Sequence, residues 1–442
     1  MRRHVTRITM QARQTLPEGT GVVGAGLAVA AITSYVFVIV ALNALQGDAK
    51  AAFSAYWAVI FVAGPGFFLP LEQEVGRALA HRRAQGLGGG PLVHRAARLG
   101  GIITAVMVVA SLAFTSLLNG QLYHGDMWFV PALAVGLVGF YVMHLSRGVL
   151  AGEGRFRAYG LLIGAEGVIR LVGGLALAGA GVHRAGGYAM VLALAPFLAA
   201  AIALRGQKGL LKPGPAAPYN ELSASLGWLL LGSVLTQLLA YSSLLAINIL
   251  STPDEKVLAA AFASAFFIAR LPVLAFQAVQ GTLLPKLAGL AGSGRHDEFR
   301  RGVAKLLGAV VGVAVLGTVL AGLLGPAVGK ILFADFSLSA EGLALLALGS
   351  GLFIIALTMA QALMALGGHR FQALAWGVGL VVCIGAMAVI PGLELRVELG
   401  FVIGAAVAAV GMAAFTWARM SRAGEGSLED LIEAIEHEPI EI

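Results

Sequence analysis

Long apolar runs constrain the fold of this chain more than any other feature. They extend over 18 or more residues each, and a helix of that length crosses a hydrocarbon core of about 30 Å. Charged residues make up 12% and hydrophobic residues 58% of the 442 residues, whereas a soluble domain carries about 25% charged residues. The chain is therefore predicted to be an all-α polytopic membrane protein.

The hydropathy pattern predicts about twelve transmembrane helices joined by short connections. No connection is long enough to form a soluble domain with an active site, so the chain is not expected to be an enzyme. The predicted spans are 21–45, 54–79, 99–118, 128–150, 159–180, 187–204, 225–250, 257–284, 303–324, 340–366, 371–390 and 397–417.

The distribution of Lys and Arg predicts the orientation of the spans. The two termini and the loops that follow even-numbered spans hold 23 of these residues, and the opposite side holds five. Because positive charge is retained in the cytoplasm, both termini are predicted to be cytoplasmic and the protein to lie in the plasma membrane. The net charge of +7 is assigned to contacts with anionic lipid headgroups, and no nucleic-acid partner is expected.

The two halves of the chain show a weak internal repeat. Phe68–Pro70 and Leu283–Pro285 are 215 residues apart, and Gly152–Ala158 matches Gly367–Ala373 at the same offset. This indicates two six-helix bundles in parallel orientation, an arrangement typical of alternating-access transporters. The predicted domains are a basic N-tail (1–20), a first bundle (21–204), a cytoplasmic linker (205–224), a second bundle (225–417) and an acidic cytoplasmic tail (418–442).

Two arginines fall near the middle of predicted spans, one in each half of the chain. An Arg at the centre of a span costs about 2.5–3.5 kcal/mol on insertion scales, so Arg170 and Arg270 need a functional or structural reason. A guanidinium group binds phosphate oxygens bidentately and stays charged, which makes both arginines candidates for binding an anionic substrate. Glu166 lies one helical turn before Arg170, so an internal ion pair is the alternative there.

Prolines and carboxylates in the second and eighth spans are candidates for gating or coupling. Pro70 and Pro272, together with Pro65 and Pro285, remove helix hydrogen bonds and predict kinks; packing irregularity is the alternative. Glu72 and Glu74 are candidates for a coupling proton or cation. In the alternative interpretation, which the sequence favours, these two residues form ion pairs with Arg77, His81 or Arg82 near the cytoplasmic end.

The remaining polar features give no catalytic or metal-binding pattern. His144 in span four is a possible proton relay, although a hydrogen-bonded packing role is the more common one. Cys383 lies in an apolar run and is expected to be buried. Without metal-ligand spacing or a P-loop pattern, neither a metal site nor a cofactor is predicted.

The tail differs in composition from the rest of the chain. Seven acidic residues follow Arg422, and Ser427 with Asp430 resembles a helix start. Apolar residues from Leu428 to Ile435 lie along one face of that helix. The sequence predicts a short acidic amphipathic helix, which either docks a partner or packs loosely on the basic loops.

Three segments resemble actinobacterial polysaccharide biosynthesis membrane proteins. They are Pro70–Ala80, Arg147–Phe156, and the stretch from Ala269–Pro272 to Leu284–Leu287. The resemblance extends over nearly the whole chain. It is to the superfamily that holds O-antigen-type flippases, lipid II flippases and MATE drug exporters.

The resemblance implies a MATE-like fold and a flippase that moves a polyprenyl-diphosphate-linked oligosaccharide from the inner to the outer leaflet. It also implies coupling to a cation or to the membrane potential, and polysaccharide polymerases or glycosyltransferases as partners. An ion-coupled exporter of MATE type and a non-transporting membrane scaffold remain alternatives. The absence of Asp in Gly76–Arg83 disfavours the major facilitator class.

Overall fold

The computed structural model describes residues 20–218, 221–222, 226–273, 276, 287, 289–291, 293 and 295–437, with side chains to Ser421. Within these residues the regular secondary structure is helical, without strands. The α-helices are α1 Thr20–Ala44, α2 Gly47–Ala84, α3 Gly90–Ala113, α4 Thr115–Gln121, α5 Phe129–Gly152, α6 Phe156–Gly179, α7 Ala185–Leu204, α8 Leu226–Leu250, α9 Lys256–Ala269, α10 His296–Leu332, α11 Ala340–Ala365, α12 His369–Val389 and α13 Leu393–His437.

Twelve helices in the described part of the chain are long and apolar enough to cross a membrane, which confirms the predicted fold class. Several helices extend beyond the predicted spans: α2 begins at Gly47 rather than 54, and α10 covers 296–332 rather than 303–324. Backbone hydrogen bonds continue past the apolar stretch, so hydropathy marks the span but not the helix ends. The cytoplasmic location of the termini stays a prediction, and residues 1–19 lie outside the described part.

The tail continues α13 in the structure. α13 runs as one helix from Leu393 to His437, so the separate helix start expected at Ser427 is wrong. Nothing in that stretch interrupts the backbone hydrogen bonds of the preceding span, and Ser, Gly and Asp lower helix propensity by only about 0.5–1 kcal/mol each.

The helices form two compact units. Unit 1 contains residues up to Leu45, Phe67–Asn119 and Gly125–Leu226. Inside it, α1 packs on α6, and α5 packs on α3, α6 and α7. The phenol group of Tyr141 ties α5 to α3, because it donates a hydrogen bond of 2.8 Å to the carbonyl oxygen of Ala97.

Unit 2 contains Gln46–Gly66, Gly120–His124 and the residues from Gly227 onward. α13 packs on α11 and α12, and α10 packs on α11. Phe353 of α11 joins three helices, because its ring centroid lies 5.3 Å from that of the buried Trp376 and 6.3 Å from that of Phe401. The predicted bundle boundaries 21–204 and 225–417 differ from these units, since unit 2 also takes the first part of α2.

The end of α5 and the end of α11 have the same turn. Gly154 and Gly367 both have positive φ, +71° and +70°. The amide after each glycine bonds back to Leu150 and Leu363, respectively, which completes a Schellman cap at both ends. Equivalent positions here are 213 residues apart, so the sequence match at an offset of 215 is displaced by two residues from the structural repeat.

Arg82 near the end of α2 organises the linker that follows α7. Its guanidinium donates two hydrogen bonds, of 2.6 and 2.9 Å, to the carboxylate of Glu221. It also donates to the carbonyl oxygens of Gly88, Pro215 and Ala216. The side chain of Arg82 is only 4% exposed, so one cation fixes the described part of the linker against α2.

Candidate functional site

Unit 1 contains a buried polar cluster in which Glu72 of α2 is the shared acceptor. The Oε2 atom of Glu72 lies 2.6 Å from Nδ1 of His144 on α5. Its Oε1 atom accepts a hydrogen bond of 3.0 Å from the hydroxyl of Tyr159 on α6 and lies 3.2 Å from Nη2 of Arg147. Three helices therefore contribute to one hydrogen-bonded network inside unit 1.

Close packing of α5 on α2 positions this cluster. A Cβ atom on Gly148 would lie 2.8 Å from the carbonyl oxygen of Glu72 and 3.1 Å from Cβ of Val75. Only glycine allows the two backbones to approach this closely, as in small-residue contacts between membrane helices. His144 lies one helical turn before Gly148, so the same contact brings its ring to the carboxylate of Glu72.

The pairing that the sequence favoured for Glu72 is wrong. Glu72 was expected to pair with Arg77, His81 or Arg82, whereas it is 94% buried and faces α5 and α6. Glu74, two residues later, points to a different face and does pair with Arg77 at 2.9 Å. The two carboxylates thus have different environments, because successive side chains on a helix diverge by about 100°.

His144 has one ring nitrogen toward the carboxylate and one without a hydrogen-bond partner among the described residues. It is 97% buried, its Nε2 atom is the unpartnered one, and the ring of Phe140 stacks on it at 6.0 Å. Imidazole beside a carboxylate is an arrangement that accepts and releases protons. The cluster could therefore exchange a proton, although a packing role satisfies the same hydrogen bond.

Glu166 and Arg170, the second predicted pair, form an ion pair with each other. Both residues lie on α6 and are buried, and the guanidinium of Arg170 forms an ion pair with the carboxylate of Glu166. Its Nη1 atom also donates a hydrogen bond of 3.1 Å to the hydroxyl of Ser34 on α1. This is the internal pairing that the sequence left open as the alternative, and a substrate-binding role for the two residues stays a prediction.

Arg270 has an aromatic environment inside unit 2. Its guanidinium lies 5.0–5.5 Å from the ring centroids of Tyr241, Phe266 and Phe353 and donates a hydrogen bond to the carbonyl oxygen of Ala240. A cation–π environment of this kind stabilises a charge by about 0.5–2 kcal/mol, depending on desolvation. Arg270 is only partly buried, in contrast to Arg170.

The two prolines named as gating candidates have different effects on their helices. α9 ends at Ala269, and Arg270 forms a turn in which its amide bonds to the carbonyl oxygen of Phe267. Pro272 follows this interruption, as expected for a residue that cannot donate to the preceding turn. Pro70 lies within α2 without interrupting it, and Pro285 lies outside the described residues, so gating stays a prediction.

Sequence reasoning did not assign Arg147 and Tyr159 to a site. Arg147 was counted as a loop charge, yet it follows His144 by one helical turn and so shares its face. That spacing is the signal that could have connected it to His144. Tyr159 carried no comparable signal, because only the packing of α6 brings it to Glu72. No group of three or more His, Cys, Asp or Glu with metal-binding potential occurs in the described part of the chain.

Comparison with known proteins identifies the fold. No protein-family description matches the chain. Two uncharacterized proteins of Mycobacterium tuberculosis are 28% and 25% identical to it over 395 and 397 residues, which is 87% and 86% of this chain and 88% of each relative.

Solved structures extend the comparison. A multidrug resistance MATE family transporter of the MOP superfamily matches in its inward-facing conformation with a TM-score of 0.71 at 17% identity, over 89% of this chain and 95% of that one. Its outward-facing conformation matches with a TM-score of 0.69 at 15% identity, over 93% and 100%. The chain therefore has the fold of MATE transporters.

Proposed function

We propose that this protein, built on the fold of MATE transporters, is a membrane transporter that moves a polyprenyl-diphosphate-linked oligosaccharide from the inner to the outer leaflet. Alternating access of the two bundles would carry the sugar across for cell-surface polysaccharide synthesis. The proposal combines the fold with the resemblance of Pro70–Ala80 and Arg147–Phe156 to polysaccharide biosynthesis membrane proteins.

The environment of Arg270 is the observation that carries the proposal. A partly exposed guanidinium beside Tyr241, Phe266 and Phe353 offers a cation next to apolar ring surfaces. A polyprenyl diphosphate has matching chemistry, with a phosphate anion attached to an apolar chain. The planar guanidinium can donate two parallel hydrogen bonds to the phosphate oxygens, while the partly exposed ring of Tyr241 contacts the first prenyl unit. Phe266 and Phe353 are buried and hold the guanidinium in place.

The cluster of Glu72, His144, Arg147 and Tyr159 is proposed to serve coupling rather than substrate binding. Arg147 balances the charge of Glu72, and His144 presents a buried ring nitrogen. Arrival of a proton at His144 would add a net charge to a desolvated network, and such a charge biases conformational equilibria. The substrate site and the coupling site would then belong to different units.

A leaflet-protection assay tests the proposal. Purified protein is reconstituted into liposomes with a fluorescent polyprenyl-diphosphate oligosaccharide, and the fraction of sugar accessible to an external glycosidase is followed with time. Wild-type protein is expected to expose the inner-leaflet pool. Arg270→Ala is expected to slow exchange about tenfold or more, because a hydrogen bond to a charged group contributes about 1.5–3 kcal/mol.

Two further variants make the assay specific. Arg270→Lys keeps the charge but loses the planar fork, so its rate should fall between the other two. Arg205→Ala removes an exposed arginine at the end of α7 and should match wild type. Wild-type rates for Arg270→Ala in a folded protein would contradict the substrate site, and no exchange by wild-type protein with any lipid-linked sugar would contradict the flippase.

An ion-coupled small-molecule exporter is the second candidate. The matching solved structures are multidrug resistance transporters, and the buried carboxylate of Glu72 resembles what a cation exporter needs. Proton-driven efflux of a cationic dye from the same liposomes, unaffected by Arg270→Ala and abolished by Glu72→Gln, would favour the exporter. Dye efflux should be absent if the flippase proposal is correct.

A further inference from the structure

Two carboxylates at the start of α13 belong to none of the polar sites described above. Glu394 and Glu398 are one helical turn apart on α13 and so share a face. Glu398 is 98% buried, and its Oε1 atom has no hydrogen-bond partner among the described residues. Glu394 is partly exposed. Burial of a carboxylate without a hydrogen-bonding or charged partner is costly.

The two carboxylates converge on one point at the start of α11. The position that a Cβ atom of Gly342 would occupy lies 2.6 Å from Oε1 of Glu398 and 3.0 Å from Oε1 of Glu394. Both oxygens therefore approach the same glycine, and they fall within the ~4–6 Å over which like charges change each other's protonation. Any side chain at position 342 would displace them.

The surrounding charges do not compensate two carboxylates. α11 contributes another acid, Glu341, but its side chain is exposed. In the second half of α12 the titratable residue is Cys383, which carries no positive charge. On α13 itself, Arg396 is two residues from each glutamate, which turns it about 200° away from their shared face. With like charges on one face, one carboxylate has to be neutralised.

A bound metal ion is a poor explanation for how the negative charge of Glu394 and Glu398 is neutralised. Cations such as Ca²⁺ take six or more oxygen ligands, and the described residues hold no cluster of three potential ligands. The first turn of α11 also presents the positive end of its helix dipole, with Ser339 capping the amide of Gly342 at 3.0 Å. The amides and the positive dipole disfavour a bound cation and offset part of one negative charge, so a single proton is enough to neutralise the other carboxylate.

We propose that Glu394 and Glu398 are a proton-binding pair that holds one proton between them at neutral pH, with Glu398 as its main carrier. The carboxylate of Glu398 takes a proton from water to form the neutral acid, and releases it to water when α11 and α13 separate at this end. The inference deepens the proposed function, since it adds a second proton-binding site, in unit 2, to the cluster around His144 in unit 1, and it rests on that function only for this role.

Infrared difference spectroscopy tests the proton directly, without transport. The spectrum of Glu398→Gln is subtracted from that of wild-type protein in lipid at neutral pH. The carbonyl stretch of a protonated carboxylic acid should be present in wild type and lost in the variant. In Glu394→Gln the band should persist and titrate at lower pH, because a neighbouring negative charge is gone.

The matched control is Glu341→Gln, which replaces an exposed neighbour and should leave the band unchanged. Absence of the band from wild-type protein at neutral pH would overturn the proposal, and so would its persistence in Glu398→Gln. If Glu398→Gln does not fold, the downward shift in Glu394→Gln is the deciding measurement. A band that responds to sodium rather than to pH would identify a cation site instead and also overturn it.

The transport role has a separate readout. In the leaflet-protection assay, Glu398→Gln should keep the exchange measured without a gradient and reduce the acceleration by a pH gradient. Gradient acceleration equal to wild type would contradict the role in transport while leaving the infrared result intact. Failure of wild-type exchange would instead contradict the flippase.

Discussion

Units 1 and 2 repeat the same turn but differ in the polar residues around it. At the offset of 213 residues, Glu166 and Arg170 of α6 correspond to Gly379 and Cys383 of α12. In unit 1 Arg170 bonds to the hydroxyl of Ser34 on α1. In unit 2 the thiol of Cys383 lies 3.5 Å from the hydroxyl of Ser242 on α8, so a neutral contact takes the place of a charged one.

The cluster around Glu72 shows the same difference. Glu72 has its partners on α5 and α6, and His144, Arg147 and Tyr159 correspond to Leu357, Ala360 and Gln372 in unit 2. The helix packing thus persists without the charges. At these positions neutral residues in unit 2 take the place of the buried ion pairs of unit 1, and the arginine near the middle of a unit 2 span, Arg270, lies on a different helix.

The largest effect is expected at Arg170, where a substitution tests the difference between the two units directly. Arg170→Ala leaves the buried carboxylate of Glu166 without its cation, so we expect a loss of about 3–5 kcal/mol in the free energy of unfolding. The double variant Glu166→Gly with Arg170→Cys copies unit 2 into unit 1 and should recover much of that loss. Reversible unfolding in detergent micelles, followed by circular dichroism, measures both.

Arg270→Ala is the matched control for stability. Its aromatic partners stay packed without the guanidinium, so a loss of about 0.5–2 kcal/mol is expected. An equal loss for Arg170→Ala and Arg270→Ala would show that the two arginines do not differ in the way their contacts indicate. No recovery in the double variant would show that the ion pair itself, rather than its imbalance, stabilises unit 1.

A medium effect is expected at Glu72. Glu72→Gln keeps the shape of the side chain but weakens the hydrogen bonds to His144 and Tyr159, which should cost about 1–3 kcal/mol. Glu74→Gln is the control, because Glu74 is also buried but its partner Arg77 is 52% exposed and screened by solvent, so the loss should be smaller than at Glu72. Urea titration of both variants in micelles sharpens the comparison, and equal midpoints would contradict a structural role for the cluster.

The smallest effect on stability is expected at Glu221, which forms an ion pair with Arg82 outside the membrane spans. Hydrogen bonds from Arg82 hold the pKa of Glu221 below its usual value. The pair therefore stabilises the protein above the unfolded-state pKa of about 4.5, and this stabilisation is lost as pH falls through the lower folded-state pKa.

The contribution should be below about 1 kcal/mol, because Glu221 is 31% exposed and screened by solvent. Thermal unfolding of Glu221→Gln and wild type between neutral and acidic pH measures the difference. The two curves should converge at low pH. A gap that widens on acidification would contradict the assigned sign.

The sequence predicts the helices of this protein better than it predicts their contacts. Hydropathy identified the twelve spans because each span is a local property of 18 or more residues. The contact of Glu166 with Arg170 was also local, one turn along α6. Glu72, in contrast, was expected to pair within its own helix, and the packing at Gly148 directs it to His144 instead.

The remaining features depend on tertiary packing. The rings around Arg270 come from α8, α9 and α11, which no sequence spacing brings together. Glu398 was not singled out, because the predicted last span began at 397 and residues near a span end are usually solvated. Only the packing of α13 against Gly342 buries it.

One feature of the chain limits how it can be divided in the laboratory. Residues 46–66 belong to unit 2, while the second part of the same helix, α2, belongs to unit 1. A split gene with its break in the 205–224 linker would therefore give a C-terminal product that lacks part of unit 2, while the N-terminal product keeps all the helices of unit 1. The C-terminal fragment should be unstable when expressed alone, and co-expression with the N-terminal fragment should stabilise it, since that fragment carries residues 46–66.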